Sequence, residues 1–314
     1  MRSITIDKKY SEKRIDKAIR GYFPDMPQSA LFKAFRKKDI KVNGIRVKED
    51  QIVLAGDKVD IFIADEIIDG KPLEYEQRLN KGFTVVFEDS NLLIVNKEQG
   101  IPVHPDRDQK TNTLIDLVRS YLTMKGEYNP NDSSSFAPSL CHRLDRNTGG
   151  LIIIAKNNQA LKDIIERLEN NEIKKFYQCL VTGKMDKDSE LLKAYLIKDE
   201  NKSRVFISDQ KTRESLDILT RYKVLDYKND ISRLEVELLT GRTHQIRAHL
   251  AYTGHPIIGD GKYGTNAVNR SLGAKYQALW SYKLEFAFRS QGFLSYLKGR
   301  RFEVEPGFKI KNLT

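Results

Sequence analysis

The amino-acid sequence predicts an α+β protein: a small α+β module at the N-terminus, then a larger domain with a mixed, mainly antiparallel sheet flanked by helices and loops. Three observations lead there. Within the first 64 residues the apolar spacing changes from helical to alternating. Residues 65–81 turn polar and lose any clear period. Beyond residue 82, apolar runs of strand length separated by turn signals outnumber the helical stretches. The expected organisation is a module over 1–64, a linker over 65–81 and a second domain over 82–314.

In the module, Ile15, Ala18, Ile19 and Tyr22 follow helical spacing, with Arg14, Lys17 and Arg20 on other faces. After Pro24 and Pro27, Ser29 is a candidate N-cap for a second short helix carrying Leu31, Phe32 and Phe35 and ending in Arg36-Lys37-Lys38. Asn43-Gly44 is a two-residue hairpin signal between alternating strands. Ile40, Val42, Ile45 and Val47 would face one side, and Lys41, Arg46 and Lys48 the other. Ala55-Gly56-Asp57 turns into a further alternating run, Val59, Ile61 and Ile63.

Charge is unevenly spread. The 314 residues carry 54 Lys/Arg and 43 Asp/Glu, a net of +11. Residues 1–64 hold 15 of the former and 9 of the latter, a net of +6, which leaves +5 for the other 250. Two helices and a hairpin that all present cations make a phosphate-gripping face, and a polyanionic partner is expected. The two cysteines, Cys141 and Cys179, give neither a disulfide framework nor a paired-Cys metal motif. No signal-peptide pattern and no membrane-spanning run of about 20 apolar residues is present, so the expectation is a cytoplasmic protein without membrane contact.

The second domain opens with two strand-like runs, Phe83 to Phe87 and Leu92 to Lys97, around the turn Glu88 to Asn91. Gly100 to His104 closes them as a loop. Thr113 to Tyr121 reads as a helix with Leu114, Leu117, Val118 and Tyr121 on one face, and Lys125 to Pro138 as a loop. Next comes Cys141 to Lys156. Asp145 sits between Arg143 and Arg146, just before the apolar run Leu151 to Ala155. A carboxylate at the lip of a buried strand with cations around it stays ionised and fixed, as a nucleophile requires. On this stretch alone, a surface turn in which Asp145 pairs with its own neighbours is the more common outcome.

Leu161, Ile164, Ile165 and Leu168 give a helical face, and Lys174 to Gly183 a strand with Tyr177 at its middle. Alternating patches follow over 190–240, with helices packed against the sheet they imply. In Gly241-Arg-Thr-His-Gln-Ile-Arg247, residues Arg242, His244 and Arg247 can cluster near a helix N-terminus, a place that holds carboxylate or phosphate. Zinc is not expected. His244 and His249 are five apart instead of four, with no Glu between them, and His142 and His255 add no ligand spacing. Cys141 and His142 are adjacent, and adjacent strand residues point to opposite faces, so they do not form a nucleophile pair.

Taken together, these segments resemble the RluA/RluD-type pseudouridine synthases over nearly the whole chain. The most specific pieces are His142-Arg-Leu-Asp-Arg-Asn-Thr-Gly-Gly-Leu151 and Gly241-Arg-Thr-His-Gln-Ile-Arg247, with Lys175-Phe-Tyr177 between them. Glu88 to Lys97 and Gly254-His-Pro-Ile-Ile-Gly-Asp260 support them. The first 64 residues resemble the alpha-L RNA-binding module of a ribosomal protein of the S-four type, through Arg14-Ile15-Asp16, Lys33 to Lys38 and Val42-Asn43-Gly44. Three departures stand out. The family's Thr-Ser-Gly is Thr148-Gly149-Gly150 here, its Lys-Pro is Lys97-Glu98, and its Leu-His is Leu279-Trp280.

The resemblance implies conversion of uridine to pseudouridine in RNA, without cofactor or metal, by a monomer acting on large-subunit ribosomal RNA of the 23S type. Transfer RNA, or binding without catalysis as an assembly factor, are the alternatives. It implies Asp145 as nucleophile, Tyr177 stacking on the base and Arg247 pairing with Asp145; from guanidinium geometry that pairing is expected to be two-pronged. Arg143, His142, Arg242 and His244 would hold the substrate. Arg14, Lys17, Lys33, Arg36, Lys37, Lys38, Lys41, Asn43 and Arg46 would contact RNA from the module.

Overall fold

The structure, a computed structural model, describes residues 2–63, 68, 82–106, 109, 111–130, 132, 134–199 and 204–310, without the side chains of Ser29 and Lys33. The expected linker, apart from Ile68, lies outside the described residues. Two compact units emerge from the packing: residues 1–81 with 119–132, and residues 82–118 with 133–314.

The first unit runs β1 (Arg2–Thr5), β2 (Lys13–Arg14), α1 (Ile15–Tyr22), α2 (Gln28–Lys37), β3 (Ile40–Val42), β4 (Ile45–Arg46), β5 (Ile52–Val53) and β6 (Lys58–Ile61). An antiparallel sheet in the order β1-β6-β3-β4 and the pair β2-β5 accompany the helices. Ile15, Ala18 and Ile19 of α1 and Leu31, Ala34 and Phe35 of α2 pack with Ile40, Val59 and Ile61 in one core, as their i, i+3, i+4 and i, i+2 spacings require. Helix α2 starts at Gln28 behind Pro27, so Ser29 lies inside the first turn and is not the N-cap. Asn43 and Gly44 have φ of 51° and 82°, the geometry of a type I′ hairpin. Ile45 corrects the expected apolar face: it pairs with Val42 at the hairpin tip, beyond the core, and is 72% exposed.

The second unit contains β7 (Phe83–Glu88), β8 (Leu92–Lys97), β9 (Ser139–Leu140), β10 (Gly149–Ala155), α4 (Asn158–Glu169), β11 (Ile173–Thr182) and β12 (Ser189–Asp199). It continues through β13 (Arg204–Ser208), β14 (Leu216–Lys228), β15 (Ile231–Leu238), α5 (Gln245–Tyr252), α6 (Asn266–Ser271), β16 (Leu279–Phe286) and β17 (Arg301–Glu303). Helix α3 (Leu114–Met124) starts in this unit and runs three residues past the expected end. The main path of the sheet is β13-β12-β14-β15-β11-β16-β10-β8-β7, with β17 on β16 and β9 on β10. Among the described residues every strand pairing of this sheet is antiparallel except β10 with β16. The sheet is thus mixed and mainly antiparallel.

All seven residues of β10 are buried, which explains why its sequence is continuously apolar. Helix α4 lays Ala160 and Ile164 on Leu151 and Ile153 of that strand, and Asn157 caps the helix by accepting the Ala160 amide at 2.9 Å. Ile165, expected on the same face, is half-exposed and turns toward the pocket described below.

Two of the family departures are physically one. In the parallel pairing Gly149 stands opposite Trp280, and a Cβ on Gly149 would clash with the indole ring. The indole is held by Nε1 donating to Asn96 at 3.2 Å, and a Cβ on Gly307 would come within 2.9 Å of the same ring. Restoring Ser at Gly149 should therefore destabilise the fold by about 1–3 kcal/mol. Combining Gly149→Ser with Trp280→His should recover most of that loss. Urea unfolding of both singles and the double measures the coupling, and strictly additive effects would show that the two positions are independent.

Candidate active site

The turn that carries Asp145 is clamped from below. Thr148 N donates to Asp145 O at 3.0 Å, and Gly100 N donates to Arg146 O at 2.9 Å. The Lys97 ammonium, wholly buried at the end of β8, donates to the carbonyls of Glu98, Ile101 and Arg146 at 2.8, 2.9 and 3.0 Å. Burial lowers the Lys97 pKa to about 7 against the charges of Asp145 and Glu98, while three carbonyl acceptors suit the three donors of its protonated form. Gln99 Nε2 bridges the carbonyls of Asn147 and Gln277, and Gln277 Nε2 donates to Thr148 Oγ1 at 2.8 Å.

Arg146 does not pair with Asp145. Its guanidinium reaches both oxygens of Asp106 at 2.7 and 2.6 Å. Asp145 instead receives Arg247, 102 residues away: Nη1 donates to Oδ2 at 2.7 Å. Its side chain remains 28% exposed, and no other hydrogen bond to its carboxylate is formed among the described residues. The two-pronged geometry expected between Arg247 and Asp145 is found one partner further on. Arg247 Nε and Nη2 donate to Asp260 Oδ2 and Oδ1 at 2.7 and 2.9 Å. Burial would raise the Asp260 carboxyl, but the Arg247 hydrogen bonds and charge overcome it and hold the pKa down. Burial would lower the Arg247 pKa, and Asp260 first, then Asp145, raises it.

Helix α5 brings Arg247 inward because its start is fixed elsewhere. Gln245 Oε1 accepts from Thr240 Oγ1 and the Arg242 amide, and its Nε2 donates to Leu219 O and Thr220 Oγ1. His244 adopts φ 54° at the N-cap. Its Nδ1 lies 3.0 Å from the Tyr263 hydroxyl, which itself accepts the Val205 amide, and its Nε2 stands 4.0 Å from Asp145 Oδ2. Burial depresses the His244 pKa, with Asp145 opposing and Arg247 assisting.

These groups open onto a cavity of ≈ 670 Å³, within the ~300–1,000 Å³ range of small-molecule pockets. Asp145, Arg143, His142, Tyr177, Arg242, His244 and Arg247 all line it, so all seven expected site residues of the second domain are brought together. Arg143 and Arg242 are exposed. Tyr177 is buried, and burial, supported by the Asp145 charge, raises its phenol pKa. His142 is more committed than expected: its Nε2 accepts the Ile153 amide at 3.1 Å, so only the other edge can meet a substrate. Lys175, with its pKa lowered by burial, also faces the cavity.

Sequence reasoning missed Lys97, Gln245, Asp260 and Tyr263. Each lay in or beside a quoted motif. The acid in the apolar run Pro256-Ile-Ile-Gly-Asp260 was the one visible signal, because an acid there must be surface-exposed or paired.

The sequence model of the RNA pseudouridylate synthase family matches residues 91–252. The chain belongs to that family. The synthase is 31% identical to ribosomal large subunit pseudouridine synthase C of Vibrio parahaemolyticus over 265 residues, which is 83% of this chain and 79% of that protein. It is 34% identical to an uncharacterised RNA pseudouridine synthase of Mycoplasma pneumoniae, covering 87% of this chain and 85% of that one. In fold it is similar to human RNA pseudouridylate synthase domain containing 4, with a TM-score of 0.57 over 74% of this chain and 91% of that chain at 19% identity. The synthase is therefore an isomerase acting on RNA.

Among the described residues no group of three or more His, Cys, Asp or Glu is arranged to hold a metal, and no helix is long and apolar enough to cross a membrane. The histidines are otherwise engaged: His249 Nδ1 lies 3.0 Å from Thr220 Oγ1, and His255 Nδ1 lies 3.0 Å from Thr182 O. Burial lowers the pKa of His142 to about 3 and of His249 to about 4. Both are neutral in the fold and take up protons near pH 6.5 when unfolded. Between pH 6.5 and 5 the unfolded state therefore binds more protons, and stability must fall as pH falls. Urea midpoints at pH 7.5, 6 and 5 should decline in that order. A flat profile would contradict the assigned neutral state.

Proposed function

We propose that this synthase converts uridines of large-subunit ribosomal RNA with Asp145 as its nucleophile. One observation carries the catalytic part: Asp145 is held by Arg247 through one oxygen only, at the edge of a cavity lined by an aromatic ring and several cations. The name of the Vibrio relative supports the substrate.

Isomerisation breaks the bond between N1 of the uracil and the sugar, turns the uracil and rejoins it through carbon 5. Carbon 5 gives up its proton to solvent and N1 ends protonated, so the atoms balance. No electrons are exchanged with a second reactant. Asp145 Oδ1 attacks, at the sugar or at the base ring, while Oδ2 stays on Arg247 Nη1. The target must first leave its stack, at a cost of a few kcal/mol. Arg143 at the cavity rim fills or guards the vacated place, and Tyr177 stacks on the freed base, a contact worth about 1–3 kcal/mol. Its raised pKa keeps Tyr177 protonated near neutrality, which suits stacking over proton abstraction. His142, Arg242 and His244 line the same space and orient the nucleotide.

We infer further that residues 1–64 act as an RNA-gripping module of the alpha-L type and residues 82–314 as the catalytic domain. Lys17, Arg36, Lys37, Lys38 and Arg46 are exposed. Lys41 lies over the Phe62 ring at 5.0 Å. Two of the nine expected contacts are weaker candidates. Arg14 is paired with Asp16, and the Asn43 amide is spent on Asp57 and the Lys58 amide. Lys33 lies outside the described side chains.

Replacing Lys17, Arg36 and Lys37 together with Ala should weaken RNA binding and reduce the slope of log affinity against log salt by about 1 for each phosphate no longer neutralised. The turnover rate at saturating RNA should hold. Filter binding at several salt concentrations reads the slope, and an unchanged slope would remove the module from RNA contact.

A further inference from the structure

Asp260 has no part in the chemistry above, yet it takes more of Arg247 than Asp145 does. It is 0% exposed. Its Oδ1 accepts Arg247 Nη2 and also the amides of Lys262 and Tyr263 at 2.8 and 3.0 Å. Its Oδ2 accepts Arg247 Nε. Its backbone is held as well. Asp260 O accepts from Gly264 N and Asn269 Nδ2, and Asn269 Oδ1 accepts the neighbouring Gly259 amide at 2.7 Å. The carboxylate is thus built into a turn, and the guanidinium is pinned to it along its Nε–Nη2 edge.

A guanidinium is planar, and a carboxylate that meets its Nε–Nη2 edge engages both oxygens at once. Were that edge free, it would be available to Asp145, whose two oxygens would then both be tied. The Tyr263 ring, 5.3 Å from the Arg247 guanidinium carbon, limits its movement on another side.

We propose that Asp260 is the positioning residue of this active site: it occupies the two-pronged edge of Arg247, so that Asp145 meets Nη1 alone and keeps one oxygen free to attack. The inference rests on Asp145 being the nucleophile. It also explains how a buried arginine can serve a partly exposed acid. Asp260 compensates the charge permanently, and Asp145 need only share it.

The test compares Asp260→Asn, which keeps shape and removes charge, with wild type in single-turnover pseudouridine formation and in RNA affinity. The single-turnover rate should fall about 10–100-fold, with affinity changing by less than about threefold. An unchanged rate in folded protein overturns the proposal. So does a loss of rate and affinity together that only tracks the loss of folded protein. Should Asp260→Asn not fold, Asn269→Ala retains the carboxylate but loosens its turn, and must show the same rate-only loss to a smaller degree; wild-type rate there overturns the proposal. Asp145→Asn is assayed alongside. Full activity in that variant removes the nucleophile assignment itself. An inactive Asp145→Asn beside a fully active Asp260→Asn removes only the positioning role.

Discussion

Asp145→Asn should abolish tritium release from RNA labelled at carbon 5 of uridine, a loss on the order of 10⁴-fold or more, while RNA binding survives. The carboxamide has nearly the same shape and can still accept the Arg247 Nη1 hydrogen bond through its oxygen. It lacks the charge and the nucleophilicity. The fold should tolerate the change, because Asp260 continues to compensate Arg247 and no buried cation is left alone. A folded variant that binds RNA and releases no tritium separates chemistry from recognition. Release at the wild-type rate would sink the nucleophile assignment, whereas a wild-type protein that releases no tritium would favour RNA binding without catalysis.

Arg247→Lys should be damaging in two ways. Arg247 uses Nε, Nη2 and Nη1 at once, on two carboxylates. A lysine ammonium is a point charge on a flexible stem and cannot reproduce the flat double contact with Asp260 while also reaching Asp145. One acid is left under-compensated, and the buried one, Asp260, is the costlier to orphan. The expected stability loss is about 3–5 kcal/mol, and turnover should fall by about 100-fold or more. Denaturant unfolding and single-turnover kinetics on the same preparation measure both. Near-wild-type values for either would show that the fork does not matter.

Much of this was legible from the chain. Strand β10 announced itself as a continuous apolar run because both its faces are covered. The hairpin at Asn43-Gly44 was readable because a two-residue turn with positive φ admits few residue types. The turn bearing Asp145 and the helix bearing Arg247 were each singled out by local pattern.

Local pattern could not apportion the partners. Asp145 has Arg146 next to it in sequence, yet the structure gives Arg146 to Asp106 and Asp145 to Arg247. Nor does spacing reveal that Asp260 lies at zero exposure, which decides which acid receives the fork. The RNA-contact set shows the same limit in reverse. Asn43 carries hydrogen-bonding groups that the sequence leaves available and the fold spends on Asp57 and Lys58. Ile45 fits an alternating face in one dimension, but that face runs out of core at the hairpin tip.

The Gly149 and Trp280 departures carried no meaning singly, since the register that sets them face to face spans strands far apart in the chain.

The most direct test maps pseudouridines in cellular RNA with the wild-type gene, without it, and with the gene restored as Asp145→Asn. At least one site in large-subunit ribosomal RNA should disappear without the protein, return with wild type and stay absent with Asp145→Asn. Sites lost only from transfer RNA would contradict the substrate, and a large-subunit site restored by Asp145→Asn would contradict the nucleophile.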